Sequence, residues 1–123
     1  VVDDDLTLLK LVNITLQGVG FHVLLAPDAT QAVQLLSTAS LGIGVAVIDY
    51  ELPGSRLTDL IETVRSQGNQ VRLIVTSGYP ADMLEGFGDS LPAGVDFLKK
   101  PFLPREIVVA VQRAFAMTSG STR

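Results

Sequence analysis

Residues 43–54 read Ile43-Gly44-Val45-Ala46-Val47-Ile48-Asp49-Tyr50-Glu51-Leu52-Pro53-Gly54. The run up to Asp49 is almost wholly apolar and carries several β-branched residues, so it predicts a strand buried on both faces. Such a strand belongs to the middle of a parallel sheet with helices on either side. Leu52-Pro53-Gly54 closes the run with a turn. Leu57, Leu60, Ile61 and Val64 then recur at helical spacing. A carboxylate that ends an apolar run is costly to bury without a partner, which singles out Asp49.

Outward from this stretch, residues 71–76 form a second buried run and 95–98 a further strand. Residues 81–87 predict a short helix and 105–117 a last one. Towards the amino end, Leu9, Val12, Leu16 and Val19 mark a helix over 6–19 that stops at Gly18 and Gly20. Residues 21–26 read as a strand. Asp28 with Gln31 three positions on resembles a capping box, opening a helix to about 37. The remaining strand is Val1-Val2, ahead of Asp3-Asp4-Asp5. Two residues are few against the usual ~5–6, so the natural chain is expected to begin upstream. Strands and helices alternate five times. The expected architecture is therefore an α/β fold: a doubly wound, five-stranded parallel sheet, five helices on its two faces, and right-handed crossovers. Residues 1–117 are expected to form the domain and 118–123 a polar tail.

The 123 residues are 47% hydrophobic and 18% charged, and nine Lys and Arg against thirteen Asp and Glu leave a net charge of −4. That balance suits one well-cored domain and excludes a disordered chain. The absence of cysteine removes disulfides, thiolate zinc sites and thiol nucleophiles, and fits a reducing, cytoplasmic setting. No apolar run approaches the ~18 residues of a membrane span, and no signal-peptide pattern opens the sequence. An acidic chain without a basic patch is not expected to bind nucleic acid directly.

In a doubly wound sheet, ligands bind outside the carboxyl ends of the strands. Asp3 and Asp4 end the first predicted strand, Asp49 the third, Thr76-Ser77 the fourth and Lys99-Lys100 the fifth. Parallel strands bring all of these to one rim. Two carboxylates ~5 Å apart repel by roughly 3 kcal/mol at an effective dielectric near 20. A hard divalent cation relieves that repulsion, and an all-oxygen donor set points to Mg²⁺. A carboxylate there can also serve as a nucleophile towards phosphorus. A lysine would neutralise the incoming charge, and a hydroxyl would donate to it. Each residue also has a plainer reading. Acids at a strand end are often solvated loop charges, Lys99 and Lys100 surface charge, Phe97 core, and His22 an exposed strand position. Asp5 reads best as a helix N-terminal charge.

Four segments together resemble the receiver domains of two-component response regulators: Val2-Asp3-Asp4-Asp5, Val47-Ile48-Asp49-Tyr50-Glu51-Leu52-Pro53-Gly54, Thr76-Ser77-Gly78-Tyr79-Pro80 and Phe97-Leu98-Lys99-Lys100-Pro101-Phe102. The resemblance spans essentially the whole chain. It implies a flavodoxin-like sheet in the order 2-1-3-4-5. It also implies that Asp49 is the phosphoacceptor, taking a phosphoryl group from the phosphohistidine of a histidine kinase or phosphotransfer protein. Asp4 and Asp49 would bind Mg²⁺ directly, with the backbone carbonyl of Glu51 as a third ligand and Asp3 acting through water. Lys100, ahead of a cis Pro101, would pair with the phosphoryl group. Ser77 would be the switch hydroxyl and Phe97 the aromatic switch, together altering the face made by the fourth helix, fifth strand and fifth helix.

Some positions depart from the family pattern. Leu103 stands where relatives often carry a capping residue, forgoing ~1 kcal/mol, although Pro104 can still open the helix. Gly86, Gly88, Pro80 and Pro92 predict a short, weakly held fourth helix. Glu51 and Tyr79 occupy positions that vary among relatives and tune phosphoryl lifetime. The chain is not expected to be a conventional enzyme: it would catalyse only its own phosphorylation and dephosphorylation. Its output would pass to a downstream effector domain or protein. Attachment to a hybrid sensor kinase, a stand-alone regulator and a phospho-dependent homodimer all remain open. The main alternative is a receiver-fold scaffold that works without phosphorylation. A flavodoxin-like cofactor binder would need a phosphate loop where this chain has carboxylates. A phosphatase would need a second aspartate where it has Glu51.

Overall fold

The computed structural model describes residues 1–38, 42–66, 71–80, 83 and 94–120, with 118–120 described in backbone only. Among them, three strands form one parallel sheet: β1 (Val45–Asp49), β2 (Arg72–Ser77) and β3 (Val95–Lys99), in the order β1-β2-β3. The register aligns Ile48 with Val75 and Val75 with Phe97, so the strands end together. Four helices accompany them: α1 (Leu6–Gly18), α2 (Ala29–Ser37), α3 (Leu57–Ser66) and α4 (Pro104–Gly120). The helix expected over 81–87 lies, Met83 apart, outside the described residues. No helix among the described residues is long and apolar enough to cross a membrane.

The expectation of five strands is corrected here. The segments 1–3 and 21–26 are not strands, although Val2 makes parallel bridges to both Ala26 and Ile48. The backbone bonds are present: Val2 N–H donates to Val47 O at 2.7 Å, Asp49 N–H to Val2 O at 2.9 Å, Asp3 N–H to Ala26 O at 3.1 Å and Ala26 N–H to Val1 O at 2.9 Å. A ladder needs consecutive paired residues, and only Val2 is bridged on each side. Residues 21–26 pair only against residues 1–3, so their ladder can be no longer than that partner.

Local chemistry fixes the helix starts. Asp5 caps α1, its Oδ1 accepting from the N–H groups of Thr7 at 3.0 Å and Leu8 at 3.2 Å. Asp28 caps α2 by accepting from Gln31 N–H at 2.8 Å, and the Gln31 side chain returns to Asp28 Oδ2 at 3.2 Å. Leu103 offers α4 no capping side chain, yet its N–H donates to Glu106 Oε1 at 2.6 Å. Glu106 thus supplies the reciprocal half of a capping box. α4 begins at Pro104 and runs to Gly120, three residues into the stretch read as a tail.

Strand alternation divides the core. Ala46, Ile48, Leu73 and Val75 face one side and pack with Leu36 of α2 and Leu57, Leu60 and Val64 of α3. Val47 and Ile74 face the other side and meet Val12 and Leu16 of α1 and Ile107 and Val111 of α4. Helices therefore cover both faces, as the apolar runs required. At the amino ends of the strands, Phe115 of α4 stacks on Phe21 with centroids 5.3 Å apart. There a Cβ at Gly44 would lie 2.6 Å from Phe115 Cε1, so any larger residue would force that ring to shift. An apolar cavity of about 240 Å³ opens beside this stack, and it takes no part in the charged rim at the strands' other ends.

Candidate functional site

The rim follows from where the strands stop. Val2 bridges Ile48, so the next residues in each segment, Asp3 and Asp49, stand side by side at the carboxyl end of the sheet. Two backbone bonds tie the neighbouring segments to them. Tyr50 N–H donates to Thr76 O at 2.8 Å, and Lys100 N–H donates to Ser77 O at 2.7 Å. The Lys100–Pro101 peptide bond is cis, as expected.

Carboxylate oxygens of Asp3, Asp4 and Asp49 all lie within 4.8 Å of one another. Asp3 and Asp49 are each only 3% exposed, whereas Asp4 faces solvent. Lys100 Nζ sits 2.8 Å from Asp3 Oδ2 and 3.3 Å from Asp49 Oδ1. Asp3 Oδ1 accepts from Asp5 N–H at 2.9 Å, and Asp49 Oδ1 accepts from Glu51 N–H at 3.1 Å. One ammonium thus serves a cluster of three carboxylates.

The titration behaviour reflects this crowding. Burial, the hydrogen bond to the Glu51 side chain and the charge of Asp3 push the Asp49 carboxyl up to about 6; the Glu51 N–H and Lys100 offset this only in part. Burial pulls Lys100 down, but its hydrogen bond to Asp3 and the charges of Asp3 and Asp49 outweigh that and leave it above its ordinary value. For Glu51, burial acts upward. Hydrogen bonds to Ser77, Asp49 and Gly78 win, and its carboxyl ends below the ordinary value.

The structure brings together Asp3, Asp4, Asp49, Lys100, Ser77 and Glu51. Ser77 is fully buried at the end of β2, with its hydroxyl donating to Glu51 Oε1 at 2.5 Å. Phe97 stands apart from this group: half-buried on β3, opposite Val75 and two ladder positions before Lys99, the partner of Ser77. Lys99 points outward, with Nζ 3.4 Å from Lys100 O. His22 is exposed. Sequence reasoning marked Glu51 as a variable position that tunes phosphoryl lifetime but missed the contact of its side chain with Ser77. That contact joins residues 26 positions apart, and no local pattern announces it.

Comparison with known proteins is consistent with this geometry. Residues 1–112 match the family described as the response regulator receiver domain. The chain is 33% identical over 119 residues to the DNA-binding response regulator MtrA of Mycolicibacterium paratuberculosis, over 91% of this chain and 48% of that protein. It therefore spans about half the length of the curated relatives it matches. Chemotaxis response regulator CheY4 of Vibrio cholerae superposes with a TM-score of 0.78 at 25% identity, covering 92% of this chain and 93% of that one. The receiver domain of the Francisella response regulator 1452 gives 0.79 at 26% identity, with 95% and 94% covered.

Proposed function

The chain belongs to the response regulator receiver domain family of two-component systems, and from that premise we propose that it accepts a phosphoryl group on Asp49 from the phosphohistidine of a kinase or phosphotransfer protein. The observation that carries this is the state of Asp49: 3% exposed, at the end of an apolar strand, with Oδ1 held by Glu51 N–H and Lys100 Nζ beside two further carboxylates.

In the reaction, a carboxylate oxygen of Asp49 attacks phosphorus, and the phosphorus–nitrogen bond to the donor imidazole breaks. The imidazole keeps the electron pair and takes up a proton. Lys100 stands beside the acceptor oxygen and offsets the charge that arrives with the phosphoryl group. Ser77 offers its hydroxyl hydrogen to a phosphoryl oxygen. Hydrolysis of the acyl phosphate later resets the chain, with no other substrate turned over.

The rim fits a hard dication. Its donors are all oxygen, three carboxylates converge within 4.8 Å, and a single lysine leaves them under-neutralised. Asp4 and Asp49 would hold Mg²⁺ directly, with the Glu51 carbonyl as a third ligand and Asp3, already engaged by Lys100, acting through water. Bound there, the ion supplies positive charge that screens carboxylate from phosphate.

The same proposal completes the architecture. The segments 21–26 and 1–3 lie beside β1, linked by single bridges, in the places that the order 2-1-3-4-5 gives the second and first strands, with residues 1–117 as the receiver unit. Phosphorylation would move Ser77 and Phe97 and alter the face that includes β3 and α4. The reader of that face would be an effector domain or protein, or a second copy of the chain. A cytoplasmic setting accords with the family.

The test is to weigh the protein after incubation with Mg²⁺ and a small-molecule phosphodonor. One phosphoryl group should add to the chain and none to Asp49→Asn. Added mass that survives Asp49→Asn would count against Asp49 as acceptor. No added mass, together with no Mg²⁺ binding by calorimetry, would favour a phosphorylation-independent scaffold.

A further inference from the structure

The side chain of Glu51 reaches across the rim. Its Oε1 accepts from the Ser77 hydroxyl at 2.5 Å and from Gly78 N–H at 3.3 Å. Tyr79 N–H donates to Ser77 Oγ at 3.0 Å, which leaves the single hydroxyl hydrogen directed at Glu51. One anionic group thus occupies the hydrogen-bond donors at the far side of the site.

We propose that the Glu51 side chain is a built-in occupant of the phosphoryl-oxygen position, holding Ser77 in the resting state and leaving when a phosphoryl group binds. This rests on the reading of Asp49 as phosphoacceptor. Two facts make the occupants mutually exclusive. A serine hydroxyl has one hydrogen to donate, so Glu51 and a phosphoryl oxygen cannot both receive it. A carboxylate and a phosphoryl dianion in contact also repel strongly. Departure is easy for Glu51, because the residue is exposed and its carboxylate can swing into water. Ser77 has no such exit: it is fully buried, so its hydroxyl must find one anion or the other. The pair therefore forms a two-position switch whose resting state is an internal hydrogen bond.

The experiment compares the wild-type chain with Glu51→Ala and Glu51→Gln. In metal-free protein, the NMR signal of the Gly78 amide should move upfield in Glu51→Ala and exchange faster with solvent. With Mg²⁺ present, beryllofluoride serves as a non-covalent phosphoryl mimic in a calorimetric titration. Glu51→Ala should bind it on the order of tenfold tighter than wild type. Glu51→Gln keeps an acceptor oxygen but not the charge, and should fall between the two. Equal or weaker binding by Glu51→Ala, or an unmoved Gly78 amide, would overturn the proposal and leave phosphorylation of Asp49 standing. Failure of the wild type and both variants to bind beryllofluoride would remove the phosphoacceptor reading, and this proposal with it.

Discussion

Arg72 and Asp96 sit at the amino ends of β2 and β3, while Lys100 and Asp3 sit at the opposite, carboxyl end of the sheet. At the first place, Arg72 Nε and Nη2 meet the two oxygens of Asp96 at 3.1 and 2.8 Å, one cation matched fork-to-fork with one anion. At the second, a single ammonium is divided between Asp3 and Asp49, with Asp4 close by. The Arg72 pair is satisfied and half in water, its side chains 22% and 38% exposed. The rim is left anionic, and both its paired carboxylates are buried. A fold that balances charge at one end of its strands has not failed to do so at the other. The unneutralised end is the one proposed to hold a cation.

The sharpest way to break this comparison is to remove each cation in turn. Lys100→Met should lower the rate of phosphoryl uptake by about 10²-fold, since a positive group aimed at developing charge is lost. It should also destabilise the metal-free protein by about 2–3 kcal/mol, because Asp3 and Asp49 are left buried without a counter-charge. Urea unfolding and time-resolved mass measurement give the two numbers. If Lys100→Met is as stable as wild type without metal, the rim is not under-neutralised.

A smaller effect separates the ends by pH. The Asp49 carboxyl is raised from its ordinary 3.8 to about 6, so the folded chain holds this proton more tightly than the unfolded one. Its contribution to stability is complete below about pH 4 and is lost as pH rises through 6. Glu51 is shifted the other way, so its contribution is lost only as pH falls below the ordinary carboxyl range. Lys100 is raised above 10.5 and keeps its proton throughout this window. Burial lowers the Val1 ammonium to about 6, and its contribution to stability rises over the same range. The Asp49 effect is therefore read against Asp49→Asn: relative to that variant, metal-free wild type should lose roughly 5 °C in Tm between pH 5 and pH 7. Mg²⁺ should reverse the slope by competing with the proton for the same oxygens. In Asp49→Asn only the opposite, rising contribution of the Val1 ammonium should remain, and a slope identical to wild type there would assign the titration to another group.

The contrast also separates what could be read from sequence and what could not. The central strands were legible because Ala46, Val47 and Ile48, like Leu73, Ile74 and Val75, are apolar on both faces; only a sheet covered on both sides buries such runs. Asp49 was legible because it interrupts one of them. The segments 1–3 and 21–26 misled for a physical reason: a strand is defined by its partner, and each had too little of the other to pair with. Leu103 reads as an uncapped helix start when its own side chain alone is counted. The cap comes from Glu106, three residues on, whose carboxylate reaches back. Arg72 with Asp96, and Glu51 with Ser77, are products of register, joining positions 24 and 26 apart that meet only once parallel strands align. Sequence periodicity places strands in a sheet; it does not set which side chains meet across them.

Arg72→Met provides the smallest effect and the control for the others. Its guanidinium is partly solvated, and the pair bridges adjacent strands that already share a full backbone ladder. Exposed ion pairs typically contribute 1 kcal/mol or less, and the bidentate geometry puts this one near the upper end, so the expected loss is about 1 kcal/mol. The methionine chain would keep most of the packing that the arginine stem provides. Mg²⁺ affinity and phosphoryl uptake should be unchanged, since no rim residue touches this pair. Raised salt should shrink the difference between Arg72→Met and wild type, because half-exposed charges are screened. It should leave the penalty of Lys100→Met largely intact, because Asp3 and Asp49 are shielded from solvent ions. Equal salt sensitivity at the two ends would mean that burial, on which the distinction depends, does not govern either pair.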